Sequence, residues 1–125
     1  MKIGISSTGK DLDAVVDQRF GRCLYFLIVD TETMKLKYIS NESTLASGGA
    51  GIQAAQIVTK EGVSSVITGN IGPNAYSILQ AAGIKVYIGA EGKVKDVIEQ
   101  YKQGKLKETE DPNAESHAGF GGTRL

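Results

Sequence analysis

The sequence predicts one α/β domain over residues 1–104, with a mixed five-stranded sheet in the element order βββαβαβα. Three observations carry this. Three segments with helical apolar spacing each stop just before a glycine, Gly62, Gly83 and Gly104, the position where a left-handed residue ends a helix without strain if it lacks a Cβ. Short apolar runs of strand length alternate with those segments. Two earlier apolar runs are separated by the short polar turn Asp30-Thr31-Glu32-Thr33, which makes them an antiparallel hairpin.

In chain order, Lys2–Ser6 is the first strand, with Ile3 and Ile5 on one face and Gly4 leaving the other smooth for packing. Ser7–Cys23 is a long loop with a short turn around Leu12–Val16, and loops of that length tend to be functional. Leu24–Val29 is almost continuously apolar and reads as a strand covered on both faces. Met34–Ser40 alternates, and its lysines suit a sheet edge. Asn41–Gly51 is a second loop that ends in a glycine cluster, and a helix then runs to Glu61. Val63–Thr68 is a strand, Gly69–Pro73 a turn, and Pro73 fits the first helical position. Ala75, Ile78, Leu79 and Ala82 form one helical face; Ile84–Ile88 is the fifth strand; Val94, Val97, Ile98 and Tyr101 repeat the helical spacing. Residues 105–125 lose periodicity and are expected to form a flexible tail, charged and then glycine-rich.

Composition narrows the function. Fourteen Lys and Arg balance fourteen Asp and Glu, so neither nucleic acid nor a membrane surface is an expected partner. One cysteine excludes an intrachain disulfide and a four-thiolate metal site from one chain. No leader-like or long apolar segment is present, so cytoplasmic residence is the default expectation.

Crossover connections make the fourth and fifth strands parallel, and the hairpin then orients the first three. The loops after strands one, three, four and five therefore emerge at one sheet edge. This gathers the segment Asp17-Gln18-Arg19-Phe20-Gly21-Arg22-Cys23, the cluster Ser47–Gly51, the turn Gly69–Pro73 and Gly89–Gly92. Ligands of open α/β sheets bind beyond the carboxyl ends of the strands. Helix starts offer unpaired N–H groups and partial positive charge. The expected site is a shallow electropositive bowl suited to an anion.

Each constellation has a second reading. Gly4-Ile5-Ser6-Ser7-Thr8-Gly9-Lys10 matches the first part of a P-loop, but Asp11 stands where the magnesium-binding hydroxyl belongs and no strong helix follows. The element order resembles the ribonuclease H-like arrangement, yet the central strands lack the carboxylates of a two-metal nuclease. Cys23 is either a small buried residue at a strand start or a thiolate lowered in pKa by Arg19 and Arg22 and ready to ligate a soft metal. His117 is either solvated or a second ligand. Asp17 can pair with Arg19 or Arg22 to hold the loop, and Gly48–Gly51 is either a hinge or a close backbone approach to an anion.

Val16-Asp17-Gln18-Arg19-Phe20-Gly21-Arg22-Cys23-Leu24-Tyr25-Phe26, together with Gly69-Asn70-Ile71-Gly72-Pro73-Asn74-Ala75 and Ala81-Ala82-Gly83-Ile84, resembles the dinitrogenase iron–molybdenum cofactor biosynthesis family, over about residues 1–103. The resemblance implies a ribonuclease H-like sheet with helices on its faces and a non-enzymatic carrier of an anionic iron–sulfur or iron–molybdenum type cluster. Such a carrier has cluster-assembly proteins as partners and is a monomer or a cluster-bridged dimer. Carriers of this kind commonly have His-Phe-Gly where this chain has Arg19-Phe20-Gly21. Arginine cannot ligate a metal but holds an anionic cluster electrostatically. The roles implied here are Cys23 as ligand, His117 as second ligand, Arg19 and Arg22 as counter-charges, and the backbones of Gly48, Gly49, Gly51, Gly69, Asn70 and Gly72 as donors. The alternative is a metal-free small-anion or protein-interaction module.

Overall fold

A computed structural model of the chain describes residues 1–41 and 49–113. Its elements are β1 (Lys2–Ser7), β2 (Tyr25–Asp30), β3 (Leu36–Ser40), α1 (Ala50–Lys60), β4 (Ser65–Ile67), α2 (Pro73–Ala81), β5 (Lys85–Tyr87), α3 (Val94–Lys102) and β6 (Glu108–Thr109). They form one mixed sheet in the order β3-β2-β1-β4-β5-β6. β1 runs antiparallel to β2 and parallel to β4, β2 is antiparallel to β3, and β4 is parallel to β5. These directions are the ones that the crossover and hairpin rules require.

The sheet has six strands, not the expected five. β6 adds to the outer edge of β5 through the pairs Val86↔Thr109 and Tyr87↔Glu108. Two residues carry no readable alternation; the strand exists because β5 would otherwise present an open backbone edge. β3 also starts later than expected. Met34 adopts φ 60° and its N–H donates to the Asp30 carbonyl at 2.7 Å, so it belongs to the turn.

The sheet separates two cores. Phe26, Ile28, Val66 and Val86 pack with α1 and α2 through Ala54, Ala55, Val58, Ala75 and Leu79. Ile3, Ile5, Leu27, Val29 and Ile67 pack with α3 through Val94, Val97 and Ile98. This follows from strand alternation, since Ile3 and Ile5 face α3 while Gly4 faces the other way. A Cβ on Gly4 would lie 3.6 Å from Ile28 and Val63 and 3.9 Å from Val58. The helix stops fall where expected, with φ of 73°, 76° and 73° at Gly62, Gly83 and Gly104. No described helix is long and apolar enough to cross a membrane.

The long loop between β1 and β2 is tied down at several points. Its backbone bridges Ser7↔Val16, Val15↔Lys93 and Arg19↔Asn70. The Val16 N–H donates to the Gly92 carbonyl at 2.9 Å. The loop is thereby held across the carboxyl ends of β1 and β4, beside the turn that follows β5.

Candidate functional site

The segment Asp17–Cys23 is held from below by hydroxyls. Ser6 Oγ donates to the Asp17 carbonyl at 2.7 Å and lies 2.7 Å from Thr68 Oγ1. The Asp17 N–H donates to the Ser6 carbonyl at 2.9 Å. Ser6, Ser7 and Thr68 are all buried polar residues at strand ends. Their positions make sense as pins, because a buried hydroxyl without a partner is costly. Asp17 is also buried, and its Oδ1 accepts the Arg19 N–H at 2.9 Å and lies 3.6 Å from Arg19 Nε. Asp17 thus pairs with Arg19 and fixes the start of the segment.

Phe20 anchors the middle. It is buried and packs against Phe26 with ring centroids 5.1 Å apart and planes tilted by 52°, a geometry that adds about 0.5–1.5 kcal/mol beyond area burial. Asn41 holds the end: its Nδ2 donates to the Cys23 carbonyl at 2.9 Å and the Gly21 carbonyl at 3.2 Å. The place of Asn41 at the start of a loop gave no sign of this role in the sequence.

With both ends pinned, Phe20–Arg22 faces two helix starts. A cavity of about 360 Å³ lies between them, lined by Phe20, Gly21, Arg22 and by residues 49–52 and 72–75. The approach is close. A Cβ on Gly21 would lie 3.0 Å from both N and Cα of Gly51, and a Cβ on Gly51 would lie 3.4 Å from the Ala75 Cβ. Gly49 precedes α1 in a left-handed conformation, φ 72° and ψ 19°. Gly72 precedes α2 in an extended one, with Pro73 as the first helical residue. Among the described residues no side chain caps either helix start, and neither first turn contains an acid. The first-turn N–H groups and the positive ends of two helix dipoles therefore meet at one cavity. Its lining includes the Arg22 cation and no carboxylate among the described residues.

Of the residues expected at the bowl, Arg22, Gly49, Gly51 and Gly72 line this cavity. Arg19, Gly69 and Asn70 stand beside it. Arg19 is directed to Asp17. Gly69 packs against Gln18, whose Cα would be 2.8 Å from an added Cβ, so its small size serves packing. Asn70 ties the segment to its neighbours, its N–H donating to the Gln18 carbonyl at 2.8 Å and its carbonyl accepting the Phe20 N–H at 3.2 Å. Gly48 and His117 lie outside the described residues. Ala50, Ile52, Asn74 and Ala75 also line the cavity. The signal for them was their place in the first turn after a glycine-led helix start.

Cys23 is fully buried in the core with Phe20 and Phe26 and does not line the cavity. Its Sγ donates to the Phe20 carbonyl at 3.4 Å and lies 3.6 Å from Asn41 Nδ2. Burial pushes the thiol up from 9.0 to about 12, and the Asp17 carboxylate adds to the shift. The expected lowering of its pKa by the two arginines is overturned, because burial dominates and the charge that acts on the thiol, Asp17, raises it further. Among the described residues no group of three His, Cys, Asp or Glu stands together as a metal-binding set. The P-loop reading also fails in space. Gly4 lies within β1, and the Lys10 ammonium sits over the rings of Tyr38 and Tyr25, 5.1 and 5.6 Å from their centroids.

Residues 1–104 match the model of the family described as dinitrogenase iron-molybdenum cofactor. The chain is 35% identical over 94 residues to an uncharacterized protein of Methanocaldococcus jannaschii, covering 73% of this chain and 80% of that one. Among solved structures, it is similar to the apo form of the orange protein from Desulfovibrio gigas, with TM-score 0.87, 41% identity, and 90% and 95% of the two chains covered. It is also similar to a Thermotoga protein described as a candidate NifB protein, with TM-score 0.75, 39% identity, and 86% and 91% covered. The chain belongs to the dinitrogenase iron-molybdenum cofactor family.

Proposed function

We propose that this protein is a non-enzymatic carrier that holds an anionic metal–sulfur cluster, of iron–sulfur or iron–molybdenum type, in the cavity between Phe20–Arg22 and the starts of α1 and α2. The observation that carries this reading is the convergence of two helix N-termini and the Arg22 cation on a single cavity that has no carboxylate among its described lining residues. A volume of about 360 Å³ lies within the range of small-molecule sites. Membership of the dinitrogenase iron-molybdenum cofactor family supports a metal cluster as the class of cargo.

On this reading the cluster arrives with its own inorganic ligands and is held from outside. The N–H groups of the first turns donate to it, Arg22 supplies counter-charge, and Phe20 forms an apolar floor. Hydrogen bonds to an anion are roughly twice as strong as neutral ones, so a set of backbone donors suffices without a thiolate. Cys23 then braces the segment from the core. Assembly proteins that deliver and accept the cluster are the implied partners.

The test is anaerobic reconstitution with iron and sulfide, with and without molybdate, followed by visible absorbance. Wild type and Cys23→Ser should take up the same chromophore. Loss of uptake in Cys23→Ser, or in His117→Ala, would replace outer-sphere holding by side-chain ligation. Mass measured with and without the cluster separates a monomer from a cluster-bridged dimer. A metal-free anion-binding module is favoured as a second reading by the same donors, which are backbone amides rather than ligating side chains. Phosphate titration that moves the amides of Gly49–Ile52 and Asn74–Ala75, in a chain that takes up no cluster, would select it.

A further inference from the structure

We propose that Asn113 is a positioning residue for the cavity: its side chain locks the Gly69–Ile71 turn, and through that turn it sets two of the three cavity walls. Asn113 lies beyond the residues matched by the family model. It is brought to the site by β6, whose pairing with β5 carries the chain back across the sheet edge. The approach is ordered by further bonds. The Tyr76 hydroxyl donates to the Thr109 carbonyl at 3.4 Å. Thr109 Oγ1 donates to the Asp111 carbonyl at 2.6 Å and accepts the Asp111 N–H at 3.2 Å.

At the turn, Asn113 engages both polar atoms of its side-chain amide and its backbone N–H. Its Oδ1 accepts the Ile71 N–H at 2.8 Å, and its own N–H donates to the Ile71 carbonyl at 3.1 Å. Its Nδ2 donates to Asn70 Oδ1 at 2.9 Å and to the Gly69 carbonyl at 3.3 Å. The Asn70 amide is thereby oriented so that its Nδ2 donates to the Gln18 carbonyl at 3.1 Å. Two side-chain amides in series thus connect the C-terminal segment to the residue two before Phe20. The Asn70 backbone continues the connection through its carbonyl, which accepts the Phe20 N–H.

Phe20 forms one wall of the cavity, and Gly72–Ala75, which directly follow Ile71, form another. Displacement of Asn70 and Ile71 therefore moves both. Among the described residues the third wall, 49–52, makes no hydrogen bond to this network and acts as an internal control; there the Gln53 N–H donates to the Gly49 carbonyl at 3.0 Å. A loosely held wall costs affinity because an anion must then order its own donors.

The experiment is amide hydrogen exchange on the full chain in wild type, Asn113→Ala and Asn113→Asp, with iron–sulfide uptake measured in parallel. Asn113→Ala should raise exchange at Ile71 and Phe20 roughly tenfold, the equivalent of about one net hydrogen bond, with Gln53 unchanged. Asn113→Asp keeps an acceptor for Ile71 but loses both Nδ2 donations, so Ile71 should stay protected while Phe20 loosens. Cluster uptake at limiting iron should fall severalfold in both variants. Equal protection of Ile71 and Phe20 in wild type and Asn113→Ala would overturn the proposal, as would equal loosening of Gln53. The uptake arm rests on the carrier reading above, whereas the exchange arm does not. If wild type takes up no cluster, that reading fails and exchange alone decides the role of Asn113.

Discussion

Gly21 and Gly51 approach each other closely at the site, and alanine should destabilise at Gly21 but not at Gly51. Gly21 does not have a positive φ, so alanine there carries no backbone penalty and the effect is purely steric. The new Cβ would lie 3.0 Å from N and Cα of Gly51 and 3.4 Å from the Ala50 carbonyl carbon. All three are backbone atoms of a helix start and cannot rotate aside, so the whole segment must retreat. Overpacking of this kind costs typically about 1–3 kcal/mol. At about 2 kcal/mol, the melting temperature of a domain this size falls by roughly 6–12 °C. Gly51 sits in the first turn of α1, and among the described residues its added Cβ would meet the Ala75 methyl alone, at 3.4 Å. There the better helix propensity of alanine, worth up to about 1 kcal/mol, offsets the contact, and stability should hold or rise. Thermal unfolding followed by circular dichroism measures both. Gly21→Ala melting as high as wild type, or no lower than Gly51→Ala, would refute the claim that this contact is tight.

The remaining predictions concern charge. Cys23 binds its proton more tightly in the fold than in the unfolded chain, with a pKa near 12 against 9.0; between those values the unfolded state has fewer protons, so stability should fall as pH rises from 9 to 12. Cys23→Ala should remove that component from a pH series of denaturant melts. Native Cys23 should also resist alkylation at pH 8 and react once the chain is unfolded. Asp17→Asn removes the nearby acid that raises the Cys23 pKa, so the thiol should titrate at lower pH, read by thiolate absorbance. Arg22→Ala should weaken cluster uptake more than Arg19→Ala, because Arg22 lines the cavity while Arg19 is directed to Asp17, and added salt should narrow the difference.

Strand directions were legible in the sequence because connection rules are local and general: a short polar turn forces an antiparallel pair, and a helical crossover forces a parallel one. Those two rules were enough to put Arg22, Gly49 and Gly72 on a common rim. The split of the core into two faces was legible for the same kind of reason, from the alternation of Ile3, Gly4 and Ile5. β6 was not, since two residues have no period and the strand is created by the edge it covers.

The sequence by itself determined which segments meet, because topology follows from turns and periodicity along the chain. Only the tertiary structure decided what each side chain does there. Gly69, Asn70 and Arg19 share the rim with the donors but hold the segment rather than line the cavity. Cys23, one residue past a cavity-lining arginine, points into the core and stays protonated. The physical reason is that burial and hydrogen bonding are set by neighbours distant in the chain: Asn41 for Cys23, Gln18 for Gly69 and Asn113 for Ile71. Spacing along one segment contains no information about them.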